Sequence, residues 1–267
     1  MGAHSEMKSL STLRAYHWRG RLSIAGLVGF ATVLALQVPY PLLSDEGQRL
    51  VTIWSVVAFF FTSCAHAWWS RGLPAAVALV GVCVGIGFVA ELIGSKTGLP
   101  FGNYDYSDVL GLRVFGVPAV VPLAWAMFGW LALLCAQRVG GGWSGAAVGS
   151  LVLVAWDLFL DPQMIRLGAW EWRETAGPWL NAVPLVNSVG WFAVGLVMVR
   201  VLLAVVDEPI TDGRDDLGWM LLGWTLFSET LLFAVFFDNP AVALVGTPAL
   251  VLVLLGVCRR GRKGSVR

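Results

Sequence analysis

The stretch LPAAVALVGVCVGIGFVA, from Leu73 to Ala90, contains no charged side chain and is followed directly by Glu91. A run of this length and composition is what an α-helix needs to cross the hydrocarbon core of a bilayer, which takes about 20 residues. Burying a carboxylate near hydrocarbon is costly unless the group is paired, neutralised or wetted, so an ionisable residue in a span is a candidate for function. The segment therefore predicts a membrane helix with a functional site at its end.

The composition extends this prediction to the whole chain. Of the 267 residues, 57% are hydrophobic and only 13% are charged, and the mean hydropathy is +0.74. A soluble core could not enclose so much apolar surface, so the fold class is an all-α, polytopic membrane helical bundle. A sliding hydropathy window predicts eight spans. They are Leu22–Leu43, Leu50–Ser70, Leu73–Gly94, Val117–Gln137, Ser144–Ile165, Val183–Val206, Leu217–Phe237 and Ala241–Val257.

The basic residues predict the orientation of this bundle. Most of the 18 Lys and Arg residues fall on one side, and the other side receives Arg49, Lys96, Arg113, Arg166 and Arg173. The positive-inside rule then places both termini in the cytoplasm of a multi-pass protein of the cell membrane. We expect a single domain over 1–267, made of a cytoplasmic segment (1–21), the bundle (22–257) and a basic tail (258–267).

Several classes of chemistry are disfavoured by what the sequence lacks. Membrane di-iron hydroxylases need many histidine ligands, whereas the chain has only His4, His17 and His66. Its four cysteines show no CxxC spacing, and no nucleotide-binding glycine motif follows a predicted strand. We therefore expect no metal and no cofactor, which leaves acid–base chemistry by carboxylates, or binding and transport without chemistry.

Four acidic residues fall in the same half of the predicted bundle. Glu91 lies near the outer end of the third span, Asp157 and Asp161 toward the outer end of the fifth, and Glu229 in the outer half of the seventh. Asp157 and Asp161 are one helical turn apart and share a helix face. Because the outer loops after the third and fifth spans are also polar, we expect a cavity that opens toward the outer leaflet.

Structural roles compete with catalysis at each of these acids. Asp161 precedes a proline and also fits a helix end at the interface. Asp157 also fits a hydrogen bond between helices. Glu91 also fits a terminal acceptor for its own loop. Glu229, between a serine and a threonine, is interpreted as structural.

Three sequence blocks in the middle of the chain carry a resemblance to a known family. The first is E-x-x-G-x-x-T-G-x-P-F-G-x-Y-x-Y over 91–106, and the second is GVPAVVPLAW over 116–125. The third, over 156–187, contains WDLFLDPQM, a W-x-W pair and VPLVN. Together they resemble the membrane carotenoid-biosynthesis proteins that include the CruF-type carotenoid 1',2'-hydratases and bisanhydrobacterioruberin hydratase.

The resemblance implies cofactor-independent addition of water to the terminal C1',2' double bond of an acyclic carotenoid, giving a tertiary alcohol. Such a reaction needs a protonated carboxylic acid to form the cation and a second carboxylate to orient or deprotonate water. The candidates for these two roles, which the sequence does not divide, are Glu91, Asp157 and Asp161. The candidates for positioning water or lining the polyene cleft are Asn103, Tyr104, Trp125, Trp156, Asn187 and Trp191.

The implied partners are an acyclic carotenoid substrate, membrane lipid and other carotenoid-biosynthesis enzymes, and no nucleic acid. Alternatives stay open at this point. A carotenoid end-group cyclase would capture the same cation with an internal alkene. A non-catalytic carotenoid- or lipid-binding protein, or a transporter, would use the same cleft with the acids as hydrogen-bond acceptors.

Overall fold

The computed structural model describes residues 24–173, 176–206 and 215–264, with the side chains of the last helix as far as Arg260. The predicted segment 1–21 lies outside this part, and the tail 258–267 is described only in part. Eight helices of the described chain are long and apolar enough to cross a membrane, which confirms the predicted all-α bundle. They are α1 (Ile24–Leu42), α2 (Asp45–Arg71), α3 (Leu73–Thr97), α4 (Val120–Arg138), α5 (Gly142–Arg166), α6 (Leu185–Val205), α7 (Asp216–Phe236) and α8 (Pro240–Gly264).

Local chemistry moves some helix ends away from the predicted limits. Helix α2 begins at Asp45 and not at Leu50, because Ser44 caps it by accepting a hydrogen bond from the backbone N–H of Gly47. Acidic residues in its first turn further favour this start, since they interact well with the positive end of the helix dipole. Hydropathy alone does not detect such caps, because they are polar.

Two spans depart from regular α-helix, and a third continues through a proline. Helix α3 contains a π-helical turn at Val80–Val84, and α7 ends in another at Leu232–Phe236. Such turns are rare and often accompany functional sites. Helix α5 continues through Pro162 to Arg166, so Asp161 is not at a helix end.

Short strands join the outer loops at one end of the bundle. Strand β1 (Tyr104–Tyr106) pairs antiparallel with β4 (Trp170–Trp172) and thereby ties the loop after α3 to the loop after α5. Two local pairs complete this layer, β2 (Arg113–Val114) with β3 (Val117–Pro118), and β5 (Trp179–Leu180) with β6 (Val183–Pro184). These pairs explain why α4 and α6 begin at Val120 and Leu185, later than predicted.

Helix α4 forms the centre of the bundle, and α2, α5 and α6 pack around it. Its residues from Trp125 to Ala136 are almost completely buried. Small residues of α5 allow the close approach: a Cβ added at Gly145 or Gly149 would lie 2.7 Å from a backbone carbonyl oxygen of α4. Close backbone contact through small residues is how membrane helices commonly associate. The central helix therefore holds a fixed position from which Trp125 reaches the site.

Candidate active site

One cavity of about 400 Å³ lies next to the paired loops and is lined by residues of seven helices and of both β1 and β4. Its volume is in the range of about 300–1,000 Å³ that is usual for small-molecule sites. The predicted site residues that line it are Glu91, Tyr104, Trp125, Trp156, Asp161, Asn187 and Trp191. Asn103 is exposed and is not part of this lining, and Asp157 is buried but also does not line it.

Glu91 accepts three hydrogen bonds from aromatic side chains. The hydroxyls of Tyr104 and Tyr106 each donate to Oε2 at 2.6 Å, and the indole Nε1 of Trp125 donates to Oε1 at 2.9 Å. Both tyrosines belong to the loop that follows Glu91, which agrees with the structural alternative, but Trp125 comes from the central helix. Only 5% of Glu91 is exposed. With three donors on its two oxygens, this side chain is held as a hydrogen-bond acceptor.

The two tyrosines outside the spans are kept neutral by the same arrangement. Burial raises the pKa of Tyr104 and of Tyr106, and the neighbouring Glu91 carboxylate raises each pKa further. A neutral phenol has a proton to donate, whereas a phenolate would repel Glu91. Because alternate residues of a strand share one face, both hydroxyls of β1 reach the same carboxylate.

Asp157 and Asp161 share a single amide donor. Asn187 Nδ2 donates to Asp157 Oδ2 at 3.0 Å and to Asp161 Oδ2 at 2.5 Å, and all three residues are at most 3% exposed. The donor belongs to α6 and the acids to α5, so the hydrogen bond between helices considered for Asp157 is present. Only Asp161 of the two acids faces the cavity, where Trp170 also interacts with it.

Asp157 lies against a second, much smaller cavity. This cavity of about 10 Å³ is also lined by Pro162, Asn181 and Ser188. A volume of this order corresponds to about one water molecule. The Oδ1 atom of Asp157 is buried and has no hydrogen-bond partner in the described part of the chain. Asp157 therefore supports Asp161 from behind the main cavity.

Aromatic rings form an apolar part of the cavity lining. The rings of Trp125 and Trp191 stack with centroids 3.9 Å apart, and Trp156 meets Trp191 edge to face at 6.0 Å. Phe128 stacks on Trp156 at 3.9 Å and also lines the cavity. The three tryptophans were predicted from sequence as cleft residues, but Phe128 was not, because an apolar residue in a span carries no signal of its own.

The cavity also reaches polar side chains that are not among the predicted site residues. Glu229 lines it, together with Tyr40, Thr52, Ser55 and Gln163. The structural role predicted for Glu229 rests on its polar neighbours in sequence, and it stays a prediction. The hydroxyl of the following residue, Thr230, forms a 2.8 Å hydrogen bond with Thr247 on α8.

These residues suit acid–base chemistry on an apolar molecule. In the described residues no group of three or more His, Cys, Asp and Glu side chains is arranged to hold a metal ion. What the cavity offers is several carboxyl groups with different hydrogen-bond environments next to tryptophan faces, all within a membrane bundle. The class is thus a membrane helical protein, with eight helices in its described part that could cross a bilayer and an acidic cavity with aromatic walls.

The chain belongs to the carotenoid biosynthesis protein family, whose model matches residues 47–258. The matched part contains every predicted site residue. The chain is also 30% identical over 115 residues to bisanhydrobacterioruberin hydratase of Haloarcula japonica. That alignment covers 41% of this chain and 38% of the relative's length. No solved structure matches the chain. Family and fold together assign the protein to carotenoid biosynthesis at a membrane.

Proposed function

We propose that the protein is a cofactor-independent carotenoid hydratase that adds water to the terminal C1',2' double bond of an acyclic carotenoid. The observation that carries this proposal is the pair Asp157 and Asp161, which share the Asn187 amide while Asp161 faces an aromatic cavity. The family and the hydratase relative support the same substrate class and reaction.

Asp161 is the proton donor in this proposal. Two carboxylates one helical turn apart in a buried site repel each other, so the pair favours a state with one shared proton. The proton moves from Asp161 to the less substituted carbon of the terminal double bond. The electron pair of that bond forms the new C–H bond and leaves a tertiary cation on the neighbouring carbon. Asp157, outside the cavity lining, acts as a positioning residue.

Glu91 and the tryptophans stabilise this cation. The three donors hold Glu91 in its acceptor state, so its negative charge is available where positive charge develops. The faces of Trp125, Trp156 and Trp191 add the attraction between a cation and an aromatic ring. Preorganised charges in a site without bulk water are worth more than the same charges in solution. The cation is then captured by water, which loses a proton to a base and leaves the tertiary alcohol.

Expression in cells that accumulate an acyclic carotenoid such as lycopene tests this function. We expect a product heavier by one water, with its oxygen derived from labelled water and not from dioxygen. Asp161→Asn should abolish the product, whereas Asp108→Asn, the same change at an exposed loop residue, should not. A product with the mass of the substrate would indicate cyclisation, and bound but unchanged pigment would indicate a carrier; either result overturns the hydratase proposal.

A further inference from the structure

Two buried polar atoms that line the main cavity have no hydrogen-bond partner in the described part of the chain. They are the hydroxyl oxygen of Ser55 on α2 and Oε2 of Glu229 on α7. A buried polar atom without a partner costs about 1–3 kcal/mol, so such atoms are rare and each calls for an explanation. Both residues line the cavity, Ser55 from α2 and Glu229 from α7, so these atoms are available to what the cavity holds.

The surroundings of these two atoms are polar as well. The hydroxyl oxygen of Thr52, one helical turn before Ser55, lies 3.4 Å from the hydroxyl oxygen of Tyr40. Gln163 hydrogen-bonds to the same tyrosine, and Glu229 acts on it electrostatically. Tyr40, Thr52, Ser55, Gln163 and Glu229 therefore form a group, called here the second polar cluster, contributed by α1, α2, α5 and α7.

A water molecule needs two to four polar partners to be held in a protein interior. The second polar cluster offers a hydroxyl, a carboxylate oxygen and an amide in a cavity that is otherwise largely apolar. A hydrocarbon end group cannot form hydrogen bonds with these side chains. Water, the other reactant of the proposed hydration, can form them.

We propose that the second polar cluster binds the attacking water and that Glu229 accepts its proton. This inference rests on the proposed hydratase function. The oxygen of the water forms a bond to the tertiary cation, and one O–H bond breaks with its proton passing to the Glu229 carboxylate. Asp161 has by then lost one proton and Glu229 has gained one, so the cycle closes when Glu229 releases its proton and Asp161 regains one.

The other acids are less suited to this step. Glu91 already receives three hydrogen bonds on its two oxygens, so both oxygens are engaged by protein donors. Asp161 accepts from Asn187 at 2.5 Å and has just delivered the proton to the alkene. Glu229 comes from a different helix and keeps one oxygen without a partner. Asp161 is therefore the general acid of the proposed reaction, and Glu229 is the general base.

Deuterium exchange separates protonation of the double bond by Asp161 from deprotonation of the attacking water by Glu229. Membranes containing the wild type, Glu229→Gln or Asp161→Asn are incubated with acyclic carotenoid in heavy water, and both alcohol and recovered carotenoid are analysed by mass. We expect Glu229→Gln to lower alcohol formation by about 100-fold or more, the usual scale for a general base. Its recovered carotenoid should still gain deuterium in the terminal isopropylidene group, because the cation forms by taking a deuteron from Asp161 and re-forms an alkene by losing a protium from a carbon next to the cationic centre. Asp161→Asn should give neither product nor exchange.

Control variants distinguish a loss of catalysis from a loss of folding, and they distinguish failure of this inference from failure of the proposed hydratase function. Glu46→Gln makes the same change at an exposed residue and should leave the rate unchanged. Ser55→Ala should lower alcohol formation while exchange continues. An active wild type with a fully active Glu229→Gln overturns this inference alone, and so does a folded Glu229→Gln that loses exchange together with alcohol. A wild type that forms no alcohol overturns the hydratase function itself.

Discussion

The indole Nε1 of Trp125 donates a 2.9 Å hydrogen bond to Oε1 of Glu91 and thereby joins the central helix α4 to the end of α3. The ring that makes this bond also stacks on Trp191 in the cavity wall. One side chain thus sets both the position of the acid and the shape of the apolar surface beside it. Because the bond crosses between helices, it connects the stability of the bundle to the geometry of the site.

Glu91→Gln is expected to lower both the stability of the bundle and the activity of the site. Glutamine has one acceptor oxygen where glutamate has two, so the amide group faces a former donor and the cost is about 1–3 kcal/mol of unfolding free energy. Loss of the charge should lower alcohol formation by about 100-fold or more, as removal of a preorganised electrostatic group does. Thermal unfolding in detergent and product formation measure the two effects. An unchanged melting temperature with full activity would contradict both roles.

Tyr106→Phe tests the neutral state of the loop tyrosines. Burial and Glu91 raise the pKa of Tyr104 and Tyr106, so the folded protein keeps these protons at a pH where the unfolded chain loses them. Their contribution to stability is complete below about pH 10 and falls above it, by up to about 1.4 kcal/mol per pH unit for each tyrosine. We expect the variant to show a shallower fall in unfolding free energy above that pH. Parallel curves would contradict the assigned protonation.

The eight spans were predictable because a bilayer imposes a single requirement, a long apolar run, that hydropathy measures directly. The convergence of Glu91 with Asp161 was predictable for a related reason, since topology alone places them in one half of the membrane. The Tyr-x-Tyr spacing could also have indicated Tyr106, because alternate strand residues face the same way. Recognition of β1 as a strand depends, however, on its pairing with a loop more than sixty residues away.

Side-chain direction is what the sequence did not determine. Asn103 and Tyr104 are neighbours in the same polar loop, yet Asn103 is exposed and Tyr104 is buried against Glu91. Asp157 and Asp161 share a helix face, yet only Asp161 lines the cavity. For Glu229, neighbouring hydroxyl residues suggested a structural role, but local sequence does not show which neighbours a helix face meets. Such distinctions depend on tertiary packing.

Asn187→Leu removes the amide that Asp157 and Asp161 share while keeping a side chain that branches at Cγ. Each acid then loses a donor at a buried position, so we expect a loss of about 1–3 kcal/mol in unfolding free energy and strongly reduced alcohol formation. The exchange of groups in the double variant Asn187→Asp and Asp157→Asn should recover part of the stability, because it restores the number of acids and amides. Equal stability of Asn187→Leu and wild type would show that the shared donor contributes nothing.

Trp191→Leu and Trp191→Phe separate ring electrostatics from packing. A cation over a tryptophan face gains about 0.5–2 kcal/mol, so Trp191→Leu should slow alcohol formation by roughly 2- to 30-fold, and Trp191→Phe by less. Trp54→Leu is a suitable control, because Trp54 is 59% exposed on the outside of the bundle. Initial rates at saturating carotenoid measure the effect. Identical rates for the two Trp191 variants would leave only packing as its role.

The side of the membrane on which the site lies follows from labelling of single cysteines. With Cys64 and Cys258 replaced, Glu171→Cys places a thiol on the exposed loop that carries β4, and Arg138→Cys places one at the opposite end of α4. The distribution of basic residues predicts that the first end faces outward. A membrane-impermeant maleimide should therefore label Glu171→Cys in intact cells and Arg138→Cys only after permeabilisation. The reverse pattern would place the acidic cavity toward the cytoplasm, and the water for the proposed hydration would then enter from that side.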